Sequence, residues 1–154
     1  MSEYRIVEDD AHDPAIVALL EHHFAEMRGW SPPEQCHVLP VAGLREPGIT
    51  LLAAWDGEAL AAIGALREID AAHGELKSMR AAPAYRRRGA GDAILRALIA
   101  EARRRGYRWL GLETGRTGPF APAVSLYAKY GFSECAPFGT YLPGDFSMCM
   151  SRAL

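Results

Sequence analysis

Changes in the spacing of apolar positions along the chain predict an α/β fold. Apolar residues recur at helical spacing between Ala15 and Met27, which predicts a first helix with Asp13 as its N-cap and Pro14 in its first turn. A second helix is predicted from Gly89 to Arg105, because its apolar residues fall on one stripe and its charged residues lie off that stripe. Gly106 is expected to end it.

Alternating and short apolar runs predict strands around these helices. Ile49 to Trp55 and Ala59 to Ile69 flank an Asp-Gly pair, which is typical of a hairpin. A short strand is predicted at Tyr4 to Val7 and a further strand at Glu75 to Ala81. Together with the two hairpin strands, these predict a four-stranded antiparallel meander. The remaining expectations are a proline-rich loop at Gly29 to Gly48, a strand at Tyr107 to Leu112, a loop at Thr114 to Phe120, a helix at Pro122 to Tyr130 and a last strand at Phe146 to Met150.

Composition indicates one globular domain over residues 1–154. The chain is 49% hydrophobic and 23% charged, and it has no low-complexity tract, signal peptide pattern or membrane-spanning run. Its three cysteines are widely spaced and lack a C-x-x-C pair, so we expect a cytoplasmic protein without a disulfide framework and without a metal. His22 and His23 are adjacent and are expected at the surface.

The charge distribution indicates a phosphate-bearing partner. The net charge is −2, but nine arginines and two acids between Arg80 and Arg108 give that segment +7 and leave −9 for the rest. An acidic remainder repels a polyanion that approaches over a wide face, so nucleic acid and membrane partners are not expected. A compact phosphate group is favoured.

The segment from Pro83 to Asp92 places three arginines and two glycines before the second helix. Gly89 and Gly91 allow a ligand to approach the backbone, and the free N–H groups of a first helical turn bind anions. A P-loop is excluded because no Gly-Lys-Ser/Thr follows, and the dinucleotide motif G-x-G-x-x-G is excluded because position 94 is Ile. The pattern therefore predicts a cradle for a pyrophosphate.

Arg86-x-x-Gly89-x-Gly91 resembles the acyl-CoA-binding signature of the GNAT superfamily of N-acetyltransferases. The segment from Ala123 to Phe132 is similar to that superfamily's second signature, a helix that ends in Tyr followed by Gly-Phe. Shorter segments at 75–80, 112–115 and 137–138 resemble a small bacterial acetyltransferase branch. The resemblance covers Ile49 to Leu154. It implies a single-domain fold with a central mixed, mostly antiparallel sheet, helices on both faces, and an opening between the strand ending at Ala81 and the strand starting at Tyr107.

The resemblance implies acetyl-CoA as cosubstrate and assigns its contacts. The backbone of Met79 and Ala81 would pair with the pantetheine amides, as an extended arm can pair with a strand edge. The pyrophosphate would be held by the cradle residues Arg86, Arg87, Arg88, Gly89, Ala90 and Gly91. Phe120 stands where many members have Asn, so one contact to the pantetheine arm differs.

Acetyl transfer to an amine needs a base for the ammonium and an acid for the departing thiolate. Tyr127 matches the superfamily's usual Tyr and is the predicted acid. Glu75 is the predicted base. Side chains alternate between the two faces of a strand, which puts Glu75, Lys77 and Met79 on one face. Lys77 can therefore instead neutralise Glu75 in a structural ion pair. Glu113 is the second candidate base.

The prediction is an N-acetyltransferase that moves acetyl from acetyl-CoA to a primary amine of a small molecule by direct attack in a ternary complex. The alternative is a non-catalytic acyl-CoA-binding sensor or scaffold module. Cys135 is expected to pack rather than to carry an acyl group. The sequence does not identify the acceptor, although Glu21, His37 and Glu46 are candidates to recognise a cation, and a homodimer stays open.

Overall fold

A computed structural model describes residues 3–33, 36–116 and 118–154, and these form one seven-stranded sheet with helices on both faces. The sheet order is β1-β2-β3-β4-β5-β7-β6, and among the described strands only β4 and β5 pair in parallel. The strands are β1 (Arg5–Asp9), β2 (Ile49–Asp56), β3 (Ala59–Asp70), β4 (His73–Ala81), β5 (Trp109–Gly115), β6 (Ser133–Cys135) and β7 (Ser147–Ala153). The α-helices are α1 (Pro14–Trp30), α2 (Ala90–Arg104) and α3 (Ala121–Lys129), and short 3-10 segments occupy Val41–Arg45, Pro83–Tyr85 and Gly118–Phe120.

Helix α1 begins where the sequence predicts it, because the Asp13 carboxylate accepts hydrogen bonds from the N–H groups of Ala15 and Ile16. The expectation that His23 lies at the surface is wrong, since its side chain is buried. It follows Leu19 and Leu20 by one helical turn and therefore falls on the same buried stripe. His22, one position earlier, is exposed as expected.

Two apolar cores lie on opposite faces of the sheet. The larger core packs α2 and α3 against the sheet and includes Ile94, Leu98, Leu112, Tyr127 and Phe132. The smaller core packs α1 against the other face and includes Ile16, Leu20, Leu51 and Ile63. Helix α2 supplies the largest apolar stripe, as its sequence predicts. Below we refer to the side of the sheet that packs against α1 as the α1 face and to the opposite side as the α2 face.

The sheet opens between β4 and β5. The two strands pair only over three residues, from His73 opposite Trp109 to Glu75 opposite Gly111. Beyond Glu75, the described residues place no strand along that edge of β4. The predicted opening is therefore present. The strand after it begins at Trp109 rather than at Tyr107. The side chain of Tyr107 is buried, and its hydroxyl donates a hydrogen bond to Glu68 Oε1 at 2.7 Å.

The end of the sheet differs from the sequence prediction. Strand β5 continues to Gly115, so Thr114 and Gly115 belong to the strand and not to the predicted loop, and Glu113 lies inside the strand rather than at its end. The short strand β6 was not predicted, because three residues carry too little pattern to be recognised. Strand β7 extends to Ala153, and it joins β5 to β6.

A β-bulge in β4 reorients its second half. Ala65 pairs with Lys77 and Ile63 pairs with Arg80, so two β4 residues oppose one β3 residue between these pairs. Ser78 takes a positive φ of 54° there. The bulge turns Met79 to the α2 face, where it packs against the larger core. The period-two expectation that Met79 shares a face with Glu75 and Lys77 is therefore wrong.

Candidate active site

The start of α2 has the glycine turn that the sequence predicts, and we call the segment from Arg86 to Gly91 the cradle. Gly89 caps the helix at φ 78°, and Arg87 also has a positive φ of 62°, so the chain turns sharply before the first helical turn. Among the described residues, no backbone carbonyl accepts from the N–H groups of Arg87, Gly89, Ala90, Gly91 and Asp92. A Cβ at Gly89 would meet nothing within 4 Å. The cradle is thus open and offers unpaired N–H donors to an anion.

Charge and neighbouring contacts suit a phosphate at this cradle. The side chains of Arg86, Arg87 and Arg88 are exposed around it, and the helix dipole adds positive potential. Helix α3 braces the first turn of α2, because Asp92 accepts from Lys129 at 2.6 Å and from the Tyr130 hydroxyl at 3.0 Å. These contacts fix the first turn in place.

The free edge of β4 leads from the cradle into the opening of the sheet. Met79 and Ala81 lie on this edge, which has no neighbouring strand among the described residues. An unpaired strand edge can accept an extended chain that carries amide groups. The residues present therefore fit a ligand with an anionic end at the cradle and an amide-bearing arm along β4.

Tyr127 lies on the α2 face and is 6% exposed. Its ring contacts Phe132 in an edge-to-face arrangement, with the ring centres 5.9 Å apart. Burial raises the pKa of the Tyr127 phenol above its usual range. The hydroxyl therefore keeps its proton at neutral pH, which an acid requires.

Glu75 is a fully engaged buried carboxylate. Its side chain is 1% exposed and accepts from the Arg67 guanidinium at 2.7 and 3.0 Å. Its second oxygen contacts Lys77 at 3.4 Å and accepts from the Tyr141 hydroxyl. The ion pair with Lys77 is the arrangement that the sequence left open as the alternative to a base.

Glu113 has a different environment on the neighbouring strand. Its carboxylate lies 2.7 Å from His37 Nδ1 and accepts from the Ser147 hydroxyl at 3.1 Å. Burial raises the pKa of Glu113, and its contacts with His37 and Ser147 offset part of that rise. It lines a cleft of about 530 Å³ whose other wall is the 134–145 segment. Tyr141 connects the two carboxylates, because it bonds Glu75 and its ring lies 5.0 Å from that of His37.

Aromatic side chains line the open end of the split. Phe120 packs on Gly115 of β5, and a Cβ on that glycine would lie 2.2 Å from the ring. Trp30 and Phe146 contact the Phe120 ring edge to face, at 5.8 and 5.7 Å between ring centres. Phe120 therefore forms an apolar wall, at a position where many members of the superfamily that the sequence resembles have Asn.

Sequence reasoning missed several of these residues. Arg67 was recoverable, because the hairpin register places it opposite Glu75. Tyr141 and Ser147 carried no signal, since they lie in or beside an irregular segment far along the chain. Of the three residues considered for recognition of a cation, His37 joins the group around Glu113, whereas Glu21 and Glu46 are exposed. Cys135 is half-buried on the edge strand and faces Cys149 across β6 and β7.

The described ranges show neither a metal-binding cluster nor a membrane-spanning helix. No cluster of three or more His, Cys, Asp or Glu side chains there is arranged to hold a metal ion. None of the helices in the same ranges is both long and apolar enough to cross a membrane.

Comparison with known proteins places these features in a family. Residues 6–132 match the family described as "Acetyltransferase (GNAT) family". An Escherichia coli protein named "Uncharacterized N-acetyltransferase YedL" is 44% identical over 98% of this chain and 95% of its own length. A solved structure from Klebsiella pneumoniae is 26% identical with a TM-score of 0.78, over 98% of this chain and 97% of that one. The structure of a GNAT family acetyltransferase from Elizabethkingia anophelis with acetyl-CoA bound is 18% identical with a TM-score of 0.74, and each chain is covered completely.

Proposed function

We propose that this chain, which belongs to the acetyltransferase (GNAT) family, moves an acetyl group from acetyl-CoA to a primary amine of a small molecule by direct attack in a ternary complex. The family membership itself confirms the predicted fold, the acetyltransferase activity and acetyl-CoA as the cosubstrate. The acceptor class, the mechanism and the residue roles below are parts of the proposal. The cytoplasmic location is also part of the proposal.

One observation carries the proposal: the free edge of β4 runs directly into the cradle at the start of α2. The pyrophosphate of acetyl-CoA would bind the free N–H groups of Arg87 and of Gly89 to Asp92, with Arg86 and Arg88 adding charge. Its pantetheine arm would pair with the backbone at Met79 and Ala81. This would put the thioester between β4 and β5, beyond the three residues over which these strands pair.

The acid and the base would act from opposite faces of the sheet. Tyr127 lies on the α2 face, and its protonated phenol can give its proton to the departing thiolate. Glu113 lies on the α1 face, because its β7 partner Cys149 and its hydrogen-bond partner His37 are there. An acceptor that enters from the α1 face would therefore meet a base first and the thioester next.

The geometry supports Glu113 as the base more than Glu75. The Glu75 oxygens already accept from Arg67, Lys77 and Tyr141, so no lone pair faces the opening without a donor. Burial raises the pKa of Glu113, which moves its proton affinity towards that of an effective base at neutral pH. Glu75 would then position Tyr141 and Lys77.

A screen of primary amines tests the function. Thiol release from acetyl-CoA would be measured together with the acetylated product by mass spectrometry. We expect turnover that depends on both substrates and shows intersecting initial-rate lines, as a ternary complex requires. Binding of acetyl-CoA without turnover on any amine would instead support the sensor or scaffold module, and parallel lines would indicate a covalent acyl-enzyme.

A further inference from the structure

Two cysteines stand beside the proposed base in one row across the sheet. Glu113 of β5 pairs with Cys149 of β7, and Cys149 pairs in turn with Cys135 of β6. Residues that pair directly point to the same side of a sheet, and neighbouring strands lie about 4.8 Å apart. All three residues line the cleft of about 530 Å³. The acetyl transfer proposed above uses Glu113 but neither cysteine.

The two cysteines can be joined without a large movement of their strands. The Cα atoms of directly opposite residues in antiparallel strands lie about 4.5 or 5.5 Å apart, depending on the type of pair. Disulfides span Cα separations of about 4.4–6.8 Å. Both residues are free thiols in the structure. The register therefore meets the backbone requirement for a disulfide across β6 and β7.

The two thiols differ in their access to solvent. Cys135 is half-buried on the short edge strand, whereas Cys149 is only 4% exposed. Burial raises the pKa of the Cys149 thiol, and the nearby Cys135 and Glu113 add to that rise. An oxidant that enters the cleft therefore meets Cys135 first, and Cys149 stands ready as the second thiol. The third cysteine, Cys36, lies outside the strands.

The segment 136–145 connects this pair of cysteines to the group around Glu113. It follows Cys135 directly and forms the other wall of the cleft. Its Tyr141 donates to Glu75, and the Tyr141 ring lies 5.0 Å from that of His37, which contacts Glu113 at 2.7 Å. A covalent bond at Cys135 would fix the start of this wall against β7. None of the cradle residues, all of which are described, lines this cleft.

We infer that Cys135 and Cys149 form a reversible disulfide on exposure to a peroxide, and that this bond restricts the acceptor cleft and slows acetyl transfer. The second half of the inference rests on the proposed function, because it places the acceptor beside Glu113. A disulfide at an exposed strand edge is of the labile kind that thiol reductants reverse, which suits a protein of a reducing compartment.

The oxidation is balanced with hydrogen peroxide as the oxidant. The Cys135 thiolate attacks one peroxide oxygen, the O–O bond breaks, and Cys135 becomes a sulfenic acid while the other oxygen leaves as water. The Cys149 sulfur then attacks the Cys135 sulfur, and the S–O bond breaks to release a second water. Two thiols thus lose two electrons and two protons, and one hydrogen peroxide becomes two waters.

Peroxide treatment of the reduced full chain tests the bond itself. Cys135 and Cys149 share the tryptic peptide 130–152, because no Lys or Arg lies between Lys129 and Arg152. After alkylation of the remaining thiols, we expect this peptide to be unalkylated and lighter by two hydrogen atoms, with Cys36 alkylated. Cleavage before Asp145 should then give two fragments that separate only after reduction with dithiothreitol.

Three results of this mass analysis would overturn the inference. These are a disulfide that involves Cys36, a link between two chains, and oxidation of Cys135 to a sulfinic acid without a bond to Cys149. Each would show that Cys149 does not reach the oxidised Cys135 sulfur within one molecule.

Kinetics with the best amine from the screen test the effect on the cleft. The oxidised chain should have an acceptor kcat/KM about tenfold or more below that of the reduced chain, because displaced groups at a reacting centre cost this much. Calorimetric affinity for acetyl-CoA should not change. Dithiothreitol should restore the rate, which excludes oxidation of Met148 or Met150 as the cause. A disulfide that leaves kcat/KM unchanged, or that weakens acetyl-CoA binding equally, would overturn the inference.

Variants assign the effect to the pair. Cys135→Ser and Cys149→Ser should each prevent the disulfide, and each should keep its own untreated rate after peroxide. Cys36→Ser is the matched control and should stay as sensitive to peroxide as the parent. If the buried Cys149→Ser does not fold, Cys135→Ser on the edge strand carries the test.

Reversible peroxide inactivation of Cys135→Ser to the same extent as the parent would overturn the inference. No turnover of the reduced chain on any amine would overturn the proposed function and, with it, the control of the acceptor cleft. The peptide masses would still decide whether the disulfide forms, so the two failures are distinguishable.

Discussion

At the scale of single residues, the proposed acid Tyr127 and the proposed base Glu113 lie on opposite faces of the split sheet. Burial on the α2 face keeps the Tyr127 phenol protonated, because it raises the pKa of that group. On the α1 face, burial raises the pKa of the Glu113 carboxyl. Its ionised form is therefore a stronger base. Burial therefore favours the neutral form of both groups: it makes the ionised Glu113 a stronger base, and it leaves Tyr127 as a weak acid that keeps its proton at neutral pH.

Tyr127→Phe should lower kcat by about 10² or more and leave the affinity for acetyl-CoA nearly unchanged. The reason is that the phenol acts only as the C–S bond breaks, so its removal affects the transition state and not the ground state. Calorimetric affinity and steady-state turnover would be measured on the same preparation. Equal losses in affinity and rate would show that the hydroxyl only binds the cofactor.

Glu113→Gln should lower turnover by about 10² to 10⁴ and remove the acidic limb of the pH–rate profile. In the parent protein the rate should fall as the pH falls through the raised pKa of Glu113, because only the ionised carboxyl accepts a proton. His37 contacts the same carboxylate, so the variant His37→Gln should shift this limb without abolishing it. A Glu113→Gln protein with the parent's profile would return the role of base to Glu75 or to water.

Glu75→Gln serves as the matched carboxylate variant and should act mainly on stability. It removes the anion that holds Lys77, whose side chain is only 12% exposed, so unfolding should become easier by about 3 kcal/mol in urea. A Glu75→Gln protein that is as stable as the parent but lacks the acidic limb of the pH–rate profile would contradict a mainly structural role for Glu75.

At the scale of elements, α1 closes one face of the sheet and buries a histidine in doing so. Burial, with smaller contributions from Arg80 and His22, lowers the pKa of His23 to about 4. The unfolded chain therefore takes up a proton near pH 6.5 that the folded chain refuses until about pH 4. Folding stability is fully present above pH 6.5 and falls across this window as the pH is lowered.

His23→Leu should remove this part of the pH dependence. Between pH 7.5 and pH 5 the parent should lose about 2 kcal/mol more unfolding free energy than the variant. Urea denaturation at both pH values gives the comparison, with the exposed His22→Leu as control. Parallel losses in the parent and in His23→Leu would mean that His23 can be protonated in the folded protein.

Elements with a strong local pattern could be predicted from the sequence, whereas contacts between distant segments could not. The apolar stripe of α2, its glycine entry and the Asp-Gly hairpin are local, so their positions were recovered closely. The bulge at Ser78 leaves no local signal, yet it decides which face Met79 occupies. The hydrogen bond from Tyr141 to Glu75 joins positions 66 residues apart, so only the fold reveals that Glu75 is engaged.

At the scale of the whole molecule, the fold creates a site by leaving strands unpaired. Strands β4 and β5 pair for three residues and then separate, while β3 and β7 hold their outer edges. We propose this opening, with the cradle at its rim, as the acetyl-CoA site.

Calorimetric titration of acetyl-CoA into the parent protein and into Gly89→Glu tests that claim most directly. The glutamate would put bulk and negative charge where the pyrophosphate binds, in space that is now empty. Gly106→Glu is the matched control, because Gly106 at the other end of α2 has a similar φ of 83° and equally open surroundings. We expect one acetyl-CoA site in the parent and in Gly106→Glu, with binding abolished in Gly89→Glu. Unchanged affinity in Gly89→Glu, or no binding to the parent at millimolar acetyl-CoA, would contradict it.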